Sequence, residues 1–244
     1  MKRFLVVCLL LRASGRLLAG APFDDLAWNR VLRAYVKGGL VDYRGLLRDQ
    51  KDLDAFLNES SRVAKEEYEG WTGPGREAFM INLYNASTIK LVLDHYPVRS
   101  IRDIGHFWKG PWDQPVVRLW GLPTTLHFLE NRVLRGMGDP RIHFAVNCAS
   151  LGCPKLQSEA YEPAKLDEQL DHSAREFLAD PSKNRFDVSS GQVVLSPILS
   201  GIGKTLVPRR AASPPSSLPI FHPGKPLWCG IPASPSAFRP TTGT

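Results

Sequence analysis

Residues 76–95, Arg76-Glu77-Ala78-Phe79-Met80-Ile81-Asn82-Leu83-Tyr84-Asn85-Ala86-Ser87-Thr88-Ile89-Lys90-Leu91-Val92-Leu93-Asp94-His95, decide the fold. Their apolar side chains fall nearly all the way round a helical period, which predicts a helix buried on every side at the centre of a domain. Gly73-Pro74-Gly75 reads as the loop that introduces it. Pro97 reads as its end, because the residue before a proline is pushed out of helical conformation. Two amides break the apolar surface: Asn82 and Asn85 lie three apart on one side. A buried amide left without partners costs about 1–3 kcal/mol. Either these two tether a nearby loop through its backbone groups, or they line a pocket.

Working outward toward the N-terminus, Phe23, Leu26, Ala27, Val31, Leu32 and Tyr35 recur at helical spacing until Gly38-Gly39 stops the run. Leu53, Phe56 and Leu57 mark another short helix, and the charged stretch Lys65 to Glu69 leads to Trp71. Toward the C-terminus an aromatic, glycine-rich loop precedes a short strand over 115–120 and a turn at Gly121-Leu122-Pro123. A helix is expected over 124–135, a strand over 141–147, a helix over 163–178, and a hairpin pairing 185–188 with 192–195. The class is α+β: a helix-rich single domain, about 23–199, around a small, mainly antiparallel sheet.

The net charge of +7 invites a nucleic-acid reading, but it is unevenly placed. Five of the 31 basic residues fall after Ser200, where there is no Asp or Glu, leaving 26 basic against 24 acidic residues in the body. No clustered basic face remains there to track phosphates, so no nucleic-acid partner is expected. Residues 200–244 hold nine of the 20 prolines among Ser, Ala and Arg, the composition of a segment that does not order itself. Met1-Lys2-Arg3, the apolar run Phe4 to Leu11 and the small residues Ala19-Gly20-Ala21 have the layout of a secretory signal over 1–21, too short to span a bilayer. Export, periplasmic or extracellular, is the expectation, with no further transmembrane segment. The oligomeric state is open.

After removal of such a leader, Cys148, Cys153 and Cys229 remain, and in an oxidising compartment the first two can pair. Cys-x4-Cys lacks a second ligand pair at fixed spacing, so neither a metal nor another cofactor is expected. The densest chemistry lies in Arg141-Ile142-His143-Phe144-Ala145-Val146-Asn147-Cys148-Ala149-Ser150-Leu151-Gly152-Cys153-Pro154. A strand ending in a cysteine-bearing loop, with a histidine nearby, is where a thiol nucleophile is exposed and activated. In a regular strand His143 and Cys148 face opposite sides, so they meet only if the strand breaks by about Asn147; His127 and His95 are alternative bases. Glu130 shares a helix face with Leu126, Val133 and Leu134. A carboxylate there needs a cation or several donors, and it either orients a histidine or holds an arginine such as Arg76 or Arg141.

Phe79 to Thr88 resembles the Phe-Trp-Ile-Asn-x-Tyr-Asn-Ala-x-Thr signature of the domain-of-unknown-function family DUF547, and His143 to Pro154 resembles its His-Phe-Ala-x-Asn-Cys-Ala-Ser-x-Gly-Cys-Pro signature. Between them, Leu129 to Arg135 is similar to the family's Ile-Glu-His-x-Ile-Leu-Arg segment. Met80 replaces the usual tryptophan, and Asn131 stands where a histidine is frequent, which removes one candidate acid or base. The resemblance, over roughly Val41 to Ile198, implies an uncharacterised activity with an impression of kinship to papain-like thiol hydrolases. Past Ile198 the family's ending is lost. A shifted reading frame across Ser200 to Val207 can be written as Arg-Tyr-Arg-Glu-Asn-Phe-Gly, closer to that ending, so the tail is expected to be a frameshift product.

The expected function is a thiol-dependent hydrolase or acyl transferase acting on peptide-like or glutathione-like substrates. Cys148 is its nucleophile, His143 its base and Glu130 the orienting carboxylate, with Asn82, Tyr84, Asn85 and Asn147 lining the pocket. The competing expectation is a non-catalytic exported binding or scaffold module with a structural Cys148–Cys153 pair.

Overall fold

The computed structural model describes residues 23–106, 108–187, 192–200 and 202. The leader over 1–21 and nearly all of the proline-rich tail, with the frameshift expectation, lie outside them. The long helix α5 runs over Gly73–Leu93, with fifteen of its residues buried. It starts three residues earlier than the sequence suggests: Thr72 caps it by accepting from Gly75 N–H at 3.1 Å. Gly73-Pro74-Gly75 forms its first turn rather than a preceding loop, because proline is tolerated where no intrahelical N–H is needed.

Two apolar layers sandwich α5. Helices α1 (Leu26–Tyr35), α2 (Tyr43–Arg48) and α3 (Lys51–Arg62) bring Trp28, Leu32, Leu46, Leu53 and Phe56 against its Ala86, Ile89 and Leu93. The other layer gathers Tyr68 of α4 (Lys65–Glu69), Trp71, Phe79 and Met80 with Leu126, Leu129 and Leu134. Each fully buried Leu, Met or Phe contributes about 1.5–3 kcal/mol, which explains why every face of α5 is apolar. Among the described residues no helix is long and apolar enough to cross a membrane.

Strands are few and short. Val36–Lys37 (β1) pairs with Leu40–Val41 (β2) through Gly38 and Gly39, whose φ values of +58° and +84° suit the tight turn. A Cβ on Gly39 would also lie 2.6 Å from the Lys155 side chain, so glycine lets this hairpin approach the chain just past Pro154. Val117–Leu119 (β3) pairs with Leu122–Thr124 (β4), and Arg185–Asp187 (β5) with Gln192–Val194 (β6). Among the described residues the expected small sheet is three separate antiparallel hairpins within a helix-rich α+β domain. Leu122 and Pro123, expected in a turn, belong to β4, and the turn is Trp120-Gly121 with both residues at positive φ.

Two further elements depart from expectation. The helix expected over 124–135 runs as α6 (Leu126–Phe128), a π-helical stretch Leu129–Leu134 and α7 (Arg135–Met137). The strand expected over 141–147 is a 3-10 helix, Pro140–Phe144. Asp139 accepts from Arg141 N–H at 2.8 Å and starts that helix. Ile142, His143 and Phe144 are all buried, so this stretch packs all round as a tight helix rather than presenting alternate faces as a strand does. Helix α8 (Leu166–Ala179) then packs on this segment, with Phe144 and Phe177 ring centroids 5.4 Å apart.

Candidate functional site

The two asparagines of α5 each grip one stretch of irregular backbone. Asn82, fully buried, donates from Nδ2 to Tyr161 O at 2.9 Å and accepts at Oδ1 from Tyr161 N–H at 3.0 Å, as a neighbouring strand would. Ala160 and Tyr161, nearly inaccessible, lie outside helix and strand, so their backbone groups need partners from side chains. Asn29 accepts from Ala160 N–H at 2.8 Å. Gln169 accepts from Glu162 N–H and donates to Ala160 O, both at 2.8 Å. The roles of Asn29 and Gln169 were invisible in the sequence, because amides on exposed-looking helix positions carry no signal for the backbone they meet.

Asn85 repeats the device one turn on. Its Nδ2 donates to Ala145 O at 3.0 Å, and its Oδ1 accepts from Asn147 N–H at 2.8 Å. Asn147 then brackets the cysteine loop, donating from Nδ2 to Pro154 O at 2.7 Å and accepting at Oδ1 from Ala149 N–H at 2.8 Å. Inside the bracket Cys148 and Cys153 form a disulfide with Cα atoms 6.1 Å apart. Cys153 is buried and Cys148 half-buried. Ala149, between them, sits at φ +53°, a left-handed conformation unusual for a residue with a Cβ.

The third cluster surrounds Tyr84, whose hydroxyl donates to Glu130 Oε2 at 3.3 Å. The other carboxylate oxygen accepts from Arg135 Nη2 at 3.0 Å. Glu130 therefore holds an arginine, but the one five residues on, where the π-helical turn brings it round, and neither Arg76 nor Arg141. Burial, and then the Glu130 charge, hold the Tyr84 phenol well above its ordinary range. Burial and the Arg135 charge lower the pKa of His143, against the pull of Glu130, so its imidazole is neutral at pH 7. The charges of Glu130 and Arg135 both act on His143, and Arg135 is a member of this group that the sequence did not suggest. The strand-parity obstacle between His143 and Cys148 falls away with the strand.

The remaining candidates are engaged locally. His95 Nδ1 lies 2.9 Å from Leu91 O, and Asn131 donates to His127 O at 3.0 Å. Arg141 spans Asp139, Asp167 and Asp171, and ties the 3-10 helix to α8. Two carboxyls stand out for their surroundings. Burial raises Asp25, bonded to Asn82, to about 7, and raises Glu77, next to Asp139, also to about 7. Among the described residues no group of three or more His, Cys, Asp or Glu side chains converges to hold a metal ion. The crevice beside the cysteine loop, lined by Tyr43, Val92, Tyr96, Val98, Ser100, Ile101 and Ala149, has a volume of about 20 Å³, room for roughly one water.

The fold and its polar anchors define a class: a helix-rich domain whose motif asparagines hold irregular loops against one buried helix, with a clasped cysteine turn at the surface. Residues 68–178, from within α4 to the last turn of α8, match the model of a family described as "Protein of unknown function, DUF547". No curated protein and no solved structure matches it.

Proposed function

We propose that the domain is a non-catalytic binding or scaffold module, exported by the leader-like segment Met1 to Ala21, in which the Cys148–Cys153 pair and the asparagines serve the architecture. The observation that carries this reading is the commitment of the motif's polar groups. A cystine sulfur is no thiolate nucleophile. Asn82 and Asn85 are both buried, each holds backbone through one amide N–H and its carbonyl oxygen, and Asn82 gives its second N–H to Asp25, which ties both side chains to the architecture. Glu130 is taken by Arg135 and Tyr84. A crevice of about 20 Å³ admits no peptide-sized substrate.

One observation favours the thiol hydrolase as a second reading. Cys148 is the less buried of the pair and precedes a residue at positive φ, and backbone strain clusters at reactive sites. Iodoacetamide labelling against pH, with Cys148→Ser as control, separates the two. The module predicts no labelling of Cys148 until reductant is added, and then an apparent pKa near the ~8.5 of a free thiol. An apparent pKa well below that value would replace the module with the hydrolase.

A further inference from the structure

The cysteine loop is held by more than its covalent bond. Asn147 joins Ala149 N–H to Pro154 O through a single side chain, so it holds the two ends of the loop together from inside. Asn85 fixes Asn147 in turn from the buried helix, and Cys153 N–H donates to Ser150 O at 2.9 Å across the turn. Four hydrogen bonds therefore set the separation of the two cysteines, and none of them involves sulfur. The two sulfurs also differ in access, Cys153 being 5% exposed while Cys148 is half-buried.

We propose that Cys148–Cys153 is an exchangeable disulfide, opened at Cys148 by low-molecular-weight monothiols of the glutathione type and reclosed by Cys153, with Asn147 as the positioning residue. This goes beyond the module reading, which needs the pair only as a clasp.

The thiolate of the small molecule attacks Cys148 Sγ, the bond between the two protein sulfurs breaks, and Cys153 leaves as a thiolate that takes a proton from water. A mixed disulfide remains on Cys148. A second monothiol attacks the outer sulfur, releases the small-molecule disulfide and leaves Cys148 as a thiol, so two electrons pass from two monothiols to the cystine. In the reverse direction Cys153 attacks Cys148 of the mixed disulfide and expels the monothiol. Because Asn147 still brackets the loop, Cys153 acts at high effective concentration, and its buried thiolate gains by reclosing.

The test is to equilibrate the full chain in glutathione buffers of set reduced-to-oxidised ratio, quench with acid, alkylate, and quantify residues 148 and 153 by peptide mapping, with circular dichroism on the same samples. The expected result is reversible opening with an unchanged dichroism spectrum and glutathione attached at Cys148 rather than Cys153. Asn147→Ala should lower the effective concentration of the thiol pair about tenfold or more. Asn147→Asp, which keeps only the acceptor for Ala149, should fall between. Loss of the folded spectrum on opening would overturn the proposal, as would attachment at Cys153 or a cystine that resists excess reductant in the folded protein. A wild-type result of that kind decides whether or not the Asn147 variants fold. A low Cys148 pKa, by contrast, would sink the module and leave the exchange untouched.

Discussion

The loop held by Asn82 and the loop bracketed by Asn147 solve one problem in opposite ways. Around Tyr161 the backbone is buried and its partners come from outside, from Asn29, Asn82 and Gln169 on three different helices. Around Cys148 the backbone is half-exposed and, beyond the single anchor from Asn85 at Asn147 N–H, holds itself, with Asn147 and the disulfide both internal to the turn. Loss of an external anchor leaves buried polar groups without water, whereas loss of an internal one leaves groups that water can reach. The family signature thus mixes residues of very different energetic weight.

That contrast can be broken by substitution. The largest effects belong to the external anchors: Asn82→Ala or Asn85→Ala should cost about 3 kcal/mol, since each strands a buried donor and a buried acceptor. In a domain of this size that is a fall of about 6–12 °C in Tm by calorimetry. A cost below about 1 kcal/mol would mean that water replaces the amide and that the site is wetter than described. Replacing both cysteines, Cys148→Ser with Cys153→Ser, should cost about 2 kcal/mol or less, measured by urea titration, because so short a loop restricts the unfolded chain little.

The smallest effect depends on pH and comes from the N-terminal turn of α5. Glu77 is raised by burial from its ordinary 4.5 to about 7. A carboxyl whose folded pKa is raised contributes stability that is complete below about 4.5 and lost as the pH rises through 7. Glu77→Gln should therefore leave Tm unchanged near pH 4 and raise it by about 2–4 °C at pH 8, the effect of about 1 kcal/mol once partial exposure is allowed for. Equal shifts at both pH values would remove burial of the charge as the cause.

Much of this was legible in the sequence where one physical pattern dominates. The all-round apolar surface of 76–95 can be satisfied only by burial, so α5 could be read directly, while its two amides could be read only as tethers or as pocket residues. The chemistry of 141–154 could not be placed so well, because alternation of Ile142, Phe144 and Val146 fits a strand and a 3-10 helix equally until α8 is seen to pack on it. The Glu130 partner was missed because a normal α-helical spacing does not bring residues five apart together, whereas the π-helical turn does. Asn29 and Gln169 were missed because their partners are backbone groups 131 and 9 residues away or less, and no side-chain pattern announces them.

The central claim, that the motif asparagines are spent on backbone, is tested most directly by amide hydrogen exchange of Tyr161 and Asn147 in the unmodified protein, followed by NMR. Both amides lie outside helices and strands, yet both donate to a buried asparagine of α5. They are predicted to exchange as slowly as the core amides of that helix. Exchange at the rate of ordinary surface loops would contradict the account and return Asn82 and Asn85 to the role of pocket residues.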